Sequence, residues 1–152
     1  MAGGTRRTVV ASTVFWDASA LVPLCVHQAK SAAAKQLYER HQVVVWWATP
    51  VEITSAVARL LRMKSIGPLD RSSALRIVSV LSETWSVIEP STSLRARAQE
   101  LVLTYDLRAG DSLQLAAALQ WCGERPQGMK FLSADTRLFE AAMLSGFDAL
   151  GL

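Results

Sequence analysis

The stretch Val14-Phe15-Trp16-Asp17-Ala18-Ser19-Ala20-Leu21 decides the fold. Bulky apolar residues run straight into an acid, and small residues that can open a helix follow. A continuous apolar run of this kind reads as a strand buried on both faces, as in a parallel sheet. The acid then stands at the strand's carboxyl end, where ligands gather in open α/β sheets.

The same arrangement returns further along the chain. Val43-Val44-Val45-Trp46-Trp47 precedes Glu52, and Met129-Lys130-Phe131-Leu132-Ser133 precedes Asp135. Asp111 opens Gly110-Asp111-Ser112-Leu113-Gln114-Leu115-Ala116, a helical stretch. Strands are expected over 9–16, 43–47, 85–88, 129–132 and, last and short, 147–150. Helices are expected from 18 (with Pro23, which a helix tolerates only near its first turn), over 28–40, 49–64, 71–81, 91–105, 111–122 and 136–144. Gly67-Pro68 reads as the stop after 49–64, and Gly146 as the cap of the last helix. Inward positions are expected at Ile53, Val57, Leu60 and Leu61, at Ala74, Leu75, Val78 and Leu81, and at Leu94, Ala98, Leu101 and Val102. Strands alternating with helices predict one α/β domain with a mostly parallel sheet of four to five strands, helices on both faces. Residues 1–8 read as a flexible tail and 9–152 as the domain.

Composition fits this reading. A chain of 152 residues, 51% hydrophobic, suits one domain with a real core. No apolar run approaches the roughly 18 residues of a membrane span. Arg6-Arg7 before an apolar patch resembles a weak export signal, but Asp17 interrupts the patch and no cleavage site follows. A cytoplasmic location is therefore expected. Cys25 and Cys122 form no Cys-x-x-Cys pair and read as buried reduced thiols. His27 and His41 flank a polar helix and read as surface. Zinc and a Ser-His-Asp triad are both disfavoured. Ser19 and Ser112 lack a neighbouring base, which argues against covalent catalysis.

Each of the four acids has a bland explanation. Asp17 and Asp135 suit helix N-caps. Glu52 suits a capping box with Thr49, and Asp111 suits a first turn, where it complements the helix dipole. Gathered at one sheet edge, however, they repel one another, the more so as water is excluded. A divalent cation relieves that repulsion, and an oxygen-only donor set favours Mg²⁺ or Mn²⁺. The chain carries 16 Lys+Arg against 13 Asp+Glu, a net charge of +3. Setting the four aside leaves nine acids, all read as surface, and a basic exterior suited to an anionic polymer.

The Asp17-Ala18-Ser19-Ala20-Leu21, Thr49-Pro50-Val51-Glu52, Gly110–Ala116 and Ser133-Ala134-Asp135 segments resemble, in order, the PIN-domain ribonucleases. Within these the resemblance is to the VapC-type toxins of bacterial toxin–antitoxin pairs, over about residues 13 to 150. It implies a Mg²⁺- or Mn²⁺-dependent endoribonuclease using one or two ions, a homodimer, and a cognate antitoxin partner. It gives the acidic roles to Asp17, Glu52, Asp111 and Asp135, and supporting hydroxyl roles to Ser19 and Ser133. The chemistry is then hydrolysis by water activated at the cation. The tail before Val9 is longer than the family's pattern, and the Trp46-Trp47 pair has no functional account.

Arg59 lies about two turns beyond Glu52 on one helix face, with Arg62 nearby. Arg108 and Arg137 flank Asp111 and Asp135. These arginines are candidates for gripping RNA phosphates, Arg108 and Arg137 foremost by proximity. The stretch 51–81 carries Met63, Ile66, Leu69 and Ile77 beyond what two surface helices need, which reads either as core packing or as a groove for an antitoxin helix. A housekeeping PIN nuclease without antitoxin, and an inactive PIN-fold binding module, stand as alternatives. The haloacid-dehalogenase pattern is disfavoured because Ser19 occupies the place of its second Asp.

Overall fold

The computed structural model describes residues 12–152. The proposed tail, and the part of the first strand before residue 12, lie outside the described residues. Five parallel strands form the sheet in the order β3-β2-β1-β4-β5. They are β1 (Thr13–Trp16), β2 (Gln42–Trp46), β3 (Ser86–Ile88), β4 (Lys130–Ser133) and β5 (Asp148–Gly151). Among the described residues seven helices accompany them: α1 (Ala18–Cys25), α2 (Ser31–Arg40), α3 (Thr49–Arg62), α4 (Pro68–Ser82), α5 (Thr92–Thr104), α6 (Ala109–Trp121) and α7 (Thr136–Ser145).

The apolar runs are continuous because the sheet is covered twice. Phe15, Val44, Trp46 and Phe131 point to one face, against Leu94, Ala98 and Leu101 of α5, Leu115 to Leu119 of α6 and Leu138 of α7. Val14, Trp16, Val43, Val45 and Leu132 point to the other, against Leu21 of α1, Ile53 and Val57 of α3 and Ala74 and Val78 of α4. Successive strand residues face opposite ways, so each run feeds both cores. Phe15 stacks on Phe131 with ring centroids 5.3 Å apart. Burying such a side chain stabilises by about 1.5–3 kcal/mol. These central strands, β1 and β4, carry Asp17 and Asp135 at their carboxyl ends.

Several boundaries differ from the sequence reading, each for a local reason. Gly67-Pro68 starts α4 instead of merely stopping α3. The Gly67 N–H donates to Asp70 Oδ2 at 2.8 Å, and Pro68 takes the first helical position. Pro23 sits well inside α1, past its first turn, but the helix ends two residues later. Trp85 is buried beside the strand, not in it, and its Nε1 donates to the Tyr38 hydroxyl at 3.0 Å. Leu75 and Val102 face outward. Gly146 ends α7 in the left-handed conformation, at φ 107°. Both cysteines are free, Cys25 buried and Cys122 half-buried. No helix among the described residues is long and apolar enough to cross a membrane.

Candidate active site

Asp17 is the first residue after β1 and the N-cap of α1. Its Oδ1 accepts from the Ser19 N–H at 2.7 Å, so the capping role is real. Its Oδ2 accepts from the Ser19 hydroxyl at 2.7 Å and also from the Ser133 hydroxyl. Ser19 in turn accepts from the Ala134 N–H at 2.9 Å, and Ser133 from the Asp135 N–H at 3.0 Å. The two hydroxyls thereby lock the ends of β1 and β4 around one carboxylate. Asp17 is only 4% exposed. Burial outweighs these hydrogen bonds and pushes its carboxyl up to about 6.

Glu52 projects from the first turn of α3. The capping box expected with Thr49 does not form. Ala48 is the N-cap and makes no side-chain cap, and Thr49 is fully buried. The Thr49 hydroxyl instead accepts from Gln114 Nε2 at 3.2 Å, and the same nitrogen donates to Glu52 Oε2. Burial raises the Glu52 carboxyl to about 7, against the lowering by Gln114 and with help from the Asp17 and Asp111 charges. Asp111 is the third residue of α6, whose N-cap Arg108 makes no side-chain cap. Burial and the neighbouring Asp135 raise its pKa, and Arg108 and Arg137 oppose the rise. Asp135 caps α7, its Oδ1 accepting from the Leu138 N–H at 2.9 Å.

These elements bring all four acids to one pocket of about 330 Å³, whose wall also includes Ser19, Gln28, Arg59 and Gln114. Asp111 and Asp135 are shared with a second cavity of about 630 Å³ lined by Arg108, Gly110, Thr136 and Arg137. Arg59 thus belongs to the acid pocket, and Arg108 and Arg137 to the depression beside it. Among the described residues none of the four acids is ion-paired. The other nine acids are exposed, as the sequence suggested.

Among the described residues no three His, Cys, Asp or Glu side chains stand close enough to hold an ion as they are. The donor chemistry nevertheless fits a hard cation. Burial, with mutual repulsion, raises the Asp17, Glu52 and Asp111 carboxyls, and the exposed Asp135 stands beside them. Mg²⁺ keeps several of its waters and needs only one or two direct carboxylates.

Sequence reasoning passed over Gln114 and Gly110. The signal for the first was a lone polar residue inside the apolar run 113–119, three residues after Asp111 and hence on its helix face. Gly110 shows itself only across elements, since a Cβ there would lie 3.0 Å from Glu52 Oε1.

The PIN domain family matches residues 14–143. The chain belongs to the PIN domain family. Solved structures share this PIN fold. A toxin–antitoxin complex from Klebsiella pneumoniae is 18% identical, with a TM-score of 0.61 over 84% of this chain and 90% of its own. The sarcin-ricin loop cleaving toxin VapC20 of Mycobacterium tuberculosis is 18% identical, with a TM-score of 0.64 over 85% of this chain and 95% of its own. VapBC2 from Rickettsia felis, bound to a DNA fragment from its promoter, is 9% identical, with a TM-score of 0.62 over 91% and 98%. At these identities the likeness is one of fold. No curated protein matches the chain.

Proposed function

We propose that this PIN domain is a Mg²⁺- or Mn²⁺-dependent endoribonuclease and the toxin of a toxin–antitoxin pair. The observation that carries the reading is the meeting of Asp17, Glu52, Asp111 and Asp135 around one pocket, none of them ion-paired among the described residues. Membership of the PIN family, whose domains are generally metal-dependent nucleases, supports it.

In this reading the four carboxylates hold the cation, and Ser19 and Ser133 orient Asp17. An ion held there would supply an activated water and neutralise charge on the scissile phosphate. Arg59 approaches the phosphate from the α3 side. Arg108 and Arg137 take a flanking phosphate in the neighbouring depression. Arg137 is free for this, since its contact with Asp106 is long, 3.6 Å, and both partners are largely exposed.

The test is cleavage of total RNA by the purified chain with Mg²⁺ or Mn²⁺, with and without chelator. Cleavage that needs the metal is expected, and no metal-dependent cleavage of any RNA refutes the reading. In the same assay, Arg108→Ala combined with Arg137→Ala should weaken RNA binding and make it less sensitive to salt by about two phosphate contacts. An unchanged salt slope removes these arginines from the RNA path.

The antitoxin assignment has its own support in the stretch 51–81. Ile53, Val57, Ala74 and Val78 are core, whereas Met63, Leu69 and Val80 are 65%, 84% and 64% exposed. The stretch is therefore partly core and partly an uncovered apolar surface, as a docked helix requires. Amide exchange should slow across 51–81 when the protein expressed from an adjoining small gene is added. Unchanged exchange there excludes that surface and leaves the housekeeping nuclease as the better reading.

A further inference from the structure

We infer that Gln114 is a positioning residue for Glu52, fixing where that carboxylate stands in the acid pocket. The inference rests on the metal-dependent reading above. Gln114 is 1% exposed, in the middle of a helix whose neighbouring residues are apolar. An amide in such a place costs free energy unless it is hydrogen-bonded. Its Nε2 bonds two groups of α3, Thr49 Oγ1 and Glu52 Oε2, while its Oε1 has no partner among the described residues.

Packing alone does not account for this residue. A methionine of nearly the same length would suit the apolar neighbours on α6 but would leave the buried Thr49 hydroxyl and Glu52 Oε2 without this donor. An orphaned buried acceptor costs about 1–3 kcal/mol. The place of the amide is therefore set by the two α3 groups it bonds, and the one acid among them lines the pocket.

The geometry shows what the amide does. Asp111 and Gln114, three residues apart, lie on one face of α6, and both line the cavity with Glu52. The Asp17 and Asp111 charges repel Glu52, and a glutamate side chain has the rotatable bonds to swing away from them. Gln114 holds one of its oxygens. Gly110 leaves room for the other, at the 3.0 Å an added Cβ would occupy. Thr49 anchors the amide from beneath. Glu52 is thereby kept facing the other acids before any cation arrives, which is how an outer group prepares a metal site.

The test uses the full chain with Gln114→Met and Thr49→Val. Three quantities are read: Mn²⁺ affinity by calorimetry, melting temperature in chelator, and RNA cleavage. Gln114→Met should bind Mn²⁺ about 10- to 100-fold more weakly while melting in chelator close to the native temperature. Thr49→Val should shift Mn²⁺ affinity the same way by less. Gln114→His, which keeps an N–H donor, should recover part of the loss. Native Mn²⁺ affinity in Gln114→Met, or a loss of affinity matched by an equal loss of metal-free stability, overturns the inference. If Gln114→Met does not fold, native affinity in Thr49→Val overturns it. Glu52→Gln separates the two levels. Weak Mn²⁺ binding by Glu52→Gln beside normal binding by Gln114→Met sinks only the positioning role. No Mn²⁺ binding by the native chain sinks the nuclease reading and this inference with it.

Discussion

Asp17→Asn should abolish RNA cleavage while leaving the fold intact. Asn is as good an N-cap as Asp, so the bond from the Ser19 N–H survives. The Ser19 and Ser133 hydroxyls, which donate to Asp17, can turn and accept from the new amide nitrogen. What disappears is the charge. A carboxylate that places a cation at a phosphate contributes several kcal/mol to the transition state. That corresponds to roughly a hundredfold or more in rate. Circular dichroism and melting should report a native protein, calorimetry a weakened Mn²⁺ site, and gel assays no cleavage. Expression of the native chain without its partner should arrest growth, and expression of the variant should not. Cleavage at the native rate by Asp17→Asn removes Asp17 from the chemistry and the central claim with it.

How far the sequence revealed this site follows from which interactions are local. Asp17 and Asp135 were legible because a strand, an acid and a helix start follow one another within a few residues. Their capping bonds span two and three residues. The two-sided cover of the sheet was legible because Val14-Phe15-Trp16 and Val43-Val44-Val45 do not alternate with polar residues. Glu52 lines the pocket, as its place after β2 suggested, and its bland explanation, a capping box with Thr49, does not form. Thr49 does not cap α3, because its hydroxyl meets a residue 65 positions away. Gln114 was passed over for the same reason, since its partners lie on another helix. Gly67-Pro68 is equally at home at a helix stop and a helix start, and only the bond to Asp70 decides. Trp47 remains 55% exposed, edge-on to Trp46, and nothing in the structure explains it.

Without a divalent cation, the protein should be more stable near pH 5 than near pH 8, the reverse of ordinary acid denaturation. Asp17 moves from 3.8 to about 6 on folding, and Glu52 from 4.5 to about 7. Both folded values are raised, so the folded state holds protons that the unfolded chain has released. The stabilisation is complete below about pH 4 and is lost as pH rises through 6 and 7. For Asp17 alone the full change corresponds to about 3 kcal/mol, roughly half of it above pH 5. Glu52 adds a smaller amount, since water still reaches it. Mn²⁺ should reverse the trend. It binds the ionised carboxylates, releases their protons, and at a hundred times its dissociation constant adds about 2.7 kcal/mol. Urea unfolding in chelator from pH 5 to 8, repeated with Mn²⁺, gives both curves. Asp17→Asn and Glu52→Gln should each flatten the metal-free curve, because each removes a buried charge that only a cation compensates. Metal-free stability that is flat or rises from pH 5 to 8 contradicts the burial and repulsion of these carboxylates, from which the metal site is argued.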